Sequence, residues 1–276
     1  PGVGETGFVT FTLTATGNGS CASVQDAMLL QITPAPLVNA GSDAEICQGS
    51  NFSFSTQSTP ASASNFASIV WTTTGSGTLF NATTLTPTYF PLAGETGVIT
   101  FTLTANGNGS CASVNDQMSL TITPAAIVSA GSDAETCQGI TYNFTTQSTP
   151  ASASNFNTIN WTTSGTGLLT NANTLTPSYT PGVGETGNIT FTLTATGNGS
   201  CTTVNDQMVL TITPSPTVFA GSDAETCQGV TFNFSTQSSP ATASQFSSIL
   251  WTTTGTGILV NATSLSPTYT PGVGET

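Results

Sequence analysis

Residues 9–16 read VTFTLTAT. Val9, Phe11, Leu13 and Ala15 alternate with Thr10, Thr12, Thr14 and Thr16, a period of two that suits a β-strand with one buried face and one hydroxyl-covered face. The same strand returns at residues 99–105 and 189–195. Further out, Phe52 and Phe54 alternate with Ser53 and Ser55, and Ile69 and Trp71 lie in a run closed by the turn Gly75-Ser76-Gly77. Leu85, Pro87 and Tyr89 mark another strand, and Leu120 and Ile122 the last. No window carries a helical period. Roughly seven short strands separated by turn residues, in about 90 residues, predict an all-β sandwich.

A repeated hexapeptide sets the organisation. Pro1-Gly-Val-Gly-Glu-Thr returns as Pro91-Leu-Ala-Gly-Glu-Thr and, unchanged, from Pro181 and Pro271, 90 residues apart each time and without insertion. A unit of that length is too long for a solenoid coil and suits a small domain. The Pro-containing stretches Thr33-Pro-Ala-Pro, Thr123-Pro-Ala-Ala and Thr213-Pro-Ser-Pro end a strand and stiffen a short linker. The expected frames are therefore 37–126 and 127–216 as whole repeats, 1–36 as the back of an earlier one and 217–276 as the front of a later one.

Composition removes most functional classes. The 276 residues contain no Lys, Arg or His and 13 Asp plus Glu, a formal charge of −13. Phosphate backbones and anionic lipid head groups need basic side chains, so neither nucleic acid nor a charged membrane surface is expected as a partner. No apolar run of ~18 residues could span a bilayer, and no stretch has the basic start of a signal peptide. Without histidine there is no imidazole base and no imidazole metal ligand. A carboxylate-pair hydrolase is the one common catalytic class left open. An identical acidic pair in every unit, without a cleft-building insertion, argues against it, and no enzyme is expected.

Each unit reads A-G-S-D-A-E-x-C-x-G, then the Trp strand, L-x-P-x-Y, T-F-T-L-T-A-x-G-N-G-S-C, and a closing strand ending in T-P. This pattern resembles the Ig-like and PKD-like tandem repeats of very large Bacteroidota surface proteins exported through the type IX pathway. The resemblance implies tandem Ig-like β-sandwiches in an elongated array, an extracellular location on a bacterial cell surface, and a role linked to adhesion or gliding.

Six cysteines alternate at spacings of 26 and 64 residues. Pairing across 26 residues joins Cys21–Cys47, Cys111–Cys137 and Cys201–Cys227, but a strand of eight residues, about 26 Å long, lies between partners that must approach within about 7 Å. Pairing across 64 residues joins Cys47–Cys111 and Cys137–Cys201 and is the preferred expectation, with Cys21 and Cys227 paired beyond these residues or free. Buried free thiols are the alternative. No C-x-x-C suggests a metal cluster.

The acids recur at fixed places. One set is Glu5, Asp43, Glu45 and Asp116; the next is Glu95, Asp133, Glu135 and Asp206; a third is Glu185, Asp223 and Glu225, with Asp26 and Glu275 belonging to further joints. Carboxylates ~4 Å apart repel by roughly 4 kcal/mol at a protein surface, and nothing cationic in the chain offsets this. Hard oxygen ligands suit Ca²⁺. The expectation is a calcium ion stiffening each domain junction; solvated turn carboxylates, with Asp43 capping a turn, are the alternative.

Trp71, Trp161 and Trp251 are expected as core residues packed against the disulfide rather than as sugar platforms. Tyr89, Tyr179 and Tyr269 read as core or corner residues. The Ser/Thr/Pro-rich segment 56–65 and its copies read as an exposed loop, with Ser58, Thr59, Ser62, Ser64, Ser148 and Thr149 as candidate O-glycosylation sites. The function expected is a structural spacer, stalk or fibre-forming segment with neighbouring repeats as its partners. It also offers trypsin-like proteases no site. The alternatives are an adhesin module binding glycans or host surfaces, and a subunit of a non-covalent extracellular filament.

Overall fold

The alternating stretch is the first arm of a hairpin. In the computed structural model, which describes residue 2 and residues 4–275, β1 (Gly7–Ala15) and β2 (Val24–Ile32) pair antiparallel from Gly7↔Ile32 to Ala15↔Val24. The next ninety residues carry β3 (Leu37–Asn39), β4 (Ala44–Cys47), β5 (Phe52–Ser53), β6 (Ser62–Ser64), β7 (Phe66–Thr73), β8 (Thr78–Phe80), β9 (Thr88–Phe90), β10 (Gly97–Gly107) and β11 (Val114–Thr123). One layer is the sheet β4-β11-β10-β7; the other is built from β5-β9-β8 and β3-β6. The fold is all-β, an Ig-like sandwich with open sheets, and among the described residues there is no α-helix.

Period-two alternation supplies the core. Ile99, Phe101, Leu103 and Ala105 of β10, and Met118, Leu120 and Ile122 of β11, point inward, while the intervening threonines cover the outer face. They meet Phe52, Phe54, Trp71 and Tyr89. Phe54 stands edge-on to Trp71 (centroids 4.6 Å apart) and to Phe101 (5.1 Å), which aromatic quadrupoles favour. Trp71 is thus a core residue, as expected, but the ring it packs against is Phe54 rather than a disulfide. Its indole N–H donates to Thr84 O at 3.0 Å.

The first strand changes layers. β3 pairs with β6 in one layer, and β4 pairs in parallel with β11 in the other. The switch falls at Ala40-Gly41, where Gly41 has φ +86°, a left-handed conformation that a side chain resists. Buried Gln57 pins the switch, its amide donating to Ala40 O (3.0 Å) and Ser42 O (2.9 Å).

Three stretches differ from the sequence expectation. Only Phe52–Ser53 is strand; Phe54–Thr56 is a 3-10 turn that still buries the Phe54 ring. Only Thr88–Phe90 pairs in the Leu85–Tyr89 run, because Pro87 cannot donate to a ladder. The segment 56–65 is not all loop, since Ser62–Ser64 forms β6 against β3.

The second frame holds β12 (Ile127–Ser129), β13 (Ala134–Cys137), β14 (Tyr142–Asn143), β15 (Ser152–Ser154), β16 (Phe156–Thr163), β17 (Leu168–Thr170), β18 (Ser178–Thr180), β19 (Gly187–Gly197) and β20 (Val204–Thr213). The third holds β21 (Thr217–Phe219), β22 (Phe232–Asn233), β23 (Thr242–Ser244), β24 (Ile258–Val260) and β25 (Thr268–Thr270). The chain divides into two compact units: Pro1–Val128 with Ala153–Ile159 and Thr194–Asn205, and the remainder from Ser129 to Thr276. Within the first unit, two strand–turn–strand stretches from the second frame thus pack with the first frame.

Candidate functional site at the repeat joint

Cys47 ends β4, opposite Thr123 at the end of β11. Its partner is Cys201, 154 residues away, with the Cα atoms 4.7 Å apart. The expected pairs Cys47–Cys111 and Cys137–Cys201 do not form; Cys21, Cys111, Cys137 and Cys227 are free thiols. The reason is the layer switch. Because β4 runs parallel to β11, Cys47 lies beside the far end of β11, whereas Cys111 lies just ahead of its start at Val114. Ten strand residues separate the two ends by about 30 Å, well beyond disulfide reach.

The loop carrying Cys201 is shaped to reach the preceding repeat. Cys201 N donates to Asn198 O at 2.9 Å, closing a turn. A Cβ on Gly197 would lie 2.7 Å from the Cys201 Cβ, so only glycine fits there. The Cys201 sulfur sits 3.4 Å from Thr123 O. Asn155, at φ +55°, donates to Ala125 O at 3.2 Å from the second loop. The same devices recur one period earlier, with Asn65 donating to Ala35 O at 3.3 Å and the Cys111 thiol to Thr33 O at 3.5 Å.

Glu45 completes the joint. Its carboxylate accepts from Thr123 Oγ1 (2.6 Å) and from Ser200 N (3.2 Å). The Thr123 hydroxyl and then the Ser200 N–H hold its carboxyl below the usual carboxylate value, against a smaller opposing effect of burial.

The other acids also serve N–H and O–H donors. Asp116 Oδ2 accepts from Ala40 N at 2.8 Å, and Asp43 Oδ1 from Ser119 N at 2.7 Å. With Glu45 they form a seam that fastens the first strand to β11. In the second repeat Asp206 accepts from Ala130 N and Asp133 from Val209 N, both at 2.8 Å. On Glu135 no such donor is placed among the described residues; Thr213 Oγ1 donates to Thr136 O instead. Glu5 accepts from Gly2 N, and Asp26 from Ala27 N.

Glu95 belongs to a corner of its own repeat. It accepts from Ser76 N (2.7 Å), Ser76 Oγ (2.9 Å), Tyr89 Oη (2.8 Å) and Leu92 N (2.9 Å). Burial pushes its carboxyl up, but these donors together outweigh it and hold the group below 4.5. Glu185 repeats the arrangement with Tyr179, Thr166 and Gly182, and Glu275 with Tyr269, Thr256 and Gly272. Burial first, then the carboxylate it faces, pushes each of the Tyr89 and Tyr179 hydroxyls up to about 12. Asp223 and Glu225 line an open groove beside Phe232 and Phe234. Among the described residues no three Asp, Glu or Cys side chains gather into a group able to hold a metal ion.

Ser58, Thr59, Ser62, Ser64, Ser148 and Thr149 are exposed, although Ser62 and Ser64 lie in a strand and Ser58 and Ser148 hydrogen-bond Ser42 and Ser132. Sequence reasoning missed Gln57 and Asn155; the signal was their return, as Gln147 and Gln237 and as Asn65, in the recurring T-Q-S and A-S-N-F stretches.

No protein-family model matches the chain, and no curated protein does. Among solved structures, a three-domain I-band fragment of titin (I67–I69) aligns with 86% of this chain and 88% of its own at 11% identity, with a TM-score of 0.44. Immunoglobulin domains 1–4 of Sidekick-1 align with 97% of this chain and 87% of theirs at 10% identity, with a TM-score of 0.30.

Proposed function

We propose that this segment is a load-bearing spacer of an extracellular stalk or fibre, one in which each sandwich is covalently stapled to its neighbour. The observation that carries the reading is the Cys47–Cys201 bond, which links residues of two successive frames and not two strands of one sandwich. A structural disulfide supports an oxidising, extracytoplasmic setting. The resemblance of the repeat to Bacteroidota surface arrays supports a bacterial cell surface. The acids support the same reading as internal fasteners, accepting hydrogen bonds from N–H and O–H donors of the strands they join.

Disulfide mapping by mass spectrometry, paired with small-angle scattering before and after reduction, tests it. The expected result is a Cys47–Cys201 peptide and a profile that broadens on reduction. A Cys47–Cys111 peptide, or a profile indifferent to reduction, would remove the proposal.

A further inference from the structure

The outer face of the β8–β9 hairpin is built differently in the first repeat and the second. Period two sends Leu79 and Tyr89 toward the core and turns Thr78, Phe80, Thr88 and Phe90 outward. Phe80 is 56% exposed and Phe90 39%. Their rings meet edge to face across the hairpin, with centroids 5.2 Å apart and planes at 73°. Leu92, two residues beyond Phe90, is 58% exposed. In the second repeat the same positions hold Thr170, Thr180 and Gly182, with β17 and β18 paired in the same register. That repeat buries its core and closes its Tyr179–Glu185 corner without them. The sandwich therefore does not need the two rings, and an exposed apolar cluster of this kind marks a contact surface.

The surroundings narrow the occupant. Ser53 of β5 pairs with Thr88, and Thr88 pairs with Phe80, so one row across the face runs hydroxyl, hydroxyl, ring. Thr78 stands opposite Phe90. None of these outward positions carries a charge. Glu95 is spent on the N–H and O–H donors of Ser76, Tyr89 and Leu92, and its bond from Leu92 N holds the turn that presents Leu92. The platform is thus fixed before anything binds, which lowers the cost of binding. Its size excludes a folded partner. A fully covered Phe buries about 150–250 Å², so at these exposures the three apolar side chains offer about 300 Å² together. A stable protein interface takes about 800 Å² from each partner, and a second copy would also bring a charge of −13 against −13.

We infer that this face of the first repeat binds a neutral glycan. A pyranose ring has an apolar C–H face and a rim of hydroxyls. The C–H hydrogens are drawn to the negative faces of Phe80 and Phe90, and the rim meets the hydroxyls of Ser53, Thr78 and Thr88. An acidic glycan finds no Lys, Arg or His anywhere in the chain to offset its charge. This contact is a function beyond the spacer role, and it does not draw on the Cys47–Cys201 staple.

The test is saturation-transfer NMR on the oxidised 276-residue chain, with cellohexaose, laminarihexaose and mannohexaose as neutral probes and hexagalacturonate as the anionic contrast. Expected is transfer to the ring C–H protons of at least one neutral hexaose and none to hexagalacturonate. Phe80→Thr/Phe90→Thr installs the second repeat's own residues. It is expected to keep the near-ultraviolet spectrum and the Cys47–Cys201 peptide and to bind about tenfold more weakly or not at all. Phe80→Tyr/Phe90→Tyr keeps both ring faces and is expected to bind within about threefold of wild type. Silence from all three neutral hexaoses, binding that survives the Thr variant, loss of binding in the Tyr variant, or hexagalacturonate bound equally well would each overturn the inference. So would a wild-type dimer in analytical ultracentrifugation that the Thr variant abolishes, since the patch would then belong to a second copy. Silent hexaoses with Cys47–Cys201 intact remove this inference alone, whereas a chain that binds them but lacks that bond removes the spacer reading alone.

Discussion

Replacing both Cys47 and Cys201 by Ser removes the staple without leaving a lone thiol. The loop it closes is 154 residues long. In the chain-entropy treatment, closing a loop of that length stabilises by about 5 kcal/mol at room temperature. For a folded unit of ~200 residues, each kcal/mol moves the thermal midpoint by about 2–4 °C, so the loss is on the order of 10–20 °C. The assay is near-ultraviolet circular dichroism of the core tryptophans, on dilute oxidised protein. Cys111→Ser and Cys137→Ser serve as the contrast, because neither thiol has a partner within the chain. Both are expected within about 0.5 kcal/mol of wild type, as for surface substitutions away from special features. Had the disulfides closed within single repeats, Cys111→Ser would break the same Cys47–Cys111 bond as Cys47→Ser and cost as much. A Cys111→Ser midpoint as low as that of the double variant would refute the inter-repeat staple.

Three further outcomes are expected. Stability should fall on both sides of neutrality: Glu95 and Glu185 are held below 4.5, so their contribution is present above that pH and drains as pH falls through the folded-state value. Tyr89 and Tyr179 are raised from 10.0 to about 12, so theirs is complete below pH 10 and lost as pH rises toward 12, a limb that denaturant midpoints of the Tyr89→Phe/Tyr179→Phe variant should lack. Tyr142→Phe should leave stability within about 1 kcal/mol of wild type or raise it in urea titrations, because among the described residues the buried Tyr142 hydroxyl makes no well-formed hydrogen bond and the Thr146 hydroxyl beside it donates to Asn143 O. Asp116→Ala should cost about 1–3 kcal/mol by stranding the Ala40 N–H, whereas Asp116→Asn, which keeps an acceptor, should cost much less, and EDTA should leave both midpoints unmoved; a Ca²⁺-dependent midpoint in wild type would return the acids to a metal role.

Long alternating runs were legible because period two survives any tertiary detail: β10, β11 and the Trp71 strand lie where the pattern placed them. The layer switch at Gly41 was not. Val38, Ala40, Ala44 and Ile46 read as one apolar series, and the bend within it depends on Gln57, a hydrogen bond no local pattern announces. The switch carries Glu45 and Cys47 along β11 to Thr121 and Thr123, away from Cys111, the partner expected for Cys47. The cysteine spacing could not show this, since Cys111 and Cys201 are one position of the repeat, a period apart. The acids were singled out as recurring, but several of them, Asp43, Asp116, Asp133 and Asp206, accept from backbone N–H groups, which every sequence contains and none displays.

The Cys47–Cys201 bond also reroutes tension. When the chain is pulled by its ends, force arriving at Cys47 crosses the two sulfurs to Cys201, and the peptide between them carries none. A bypassed stretch of 154 residues withholds about 500 Å of contour from extension even if both sandwiches melt. Any single peptide bond inside that stretch can be severed without parting the strand. The core strands β10 and β11 therefore hold the shape of the segment, while its tensile continuity passes through one covalent link beside them.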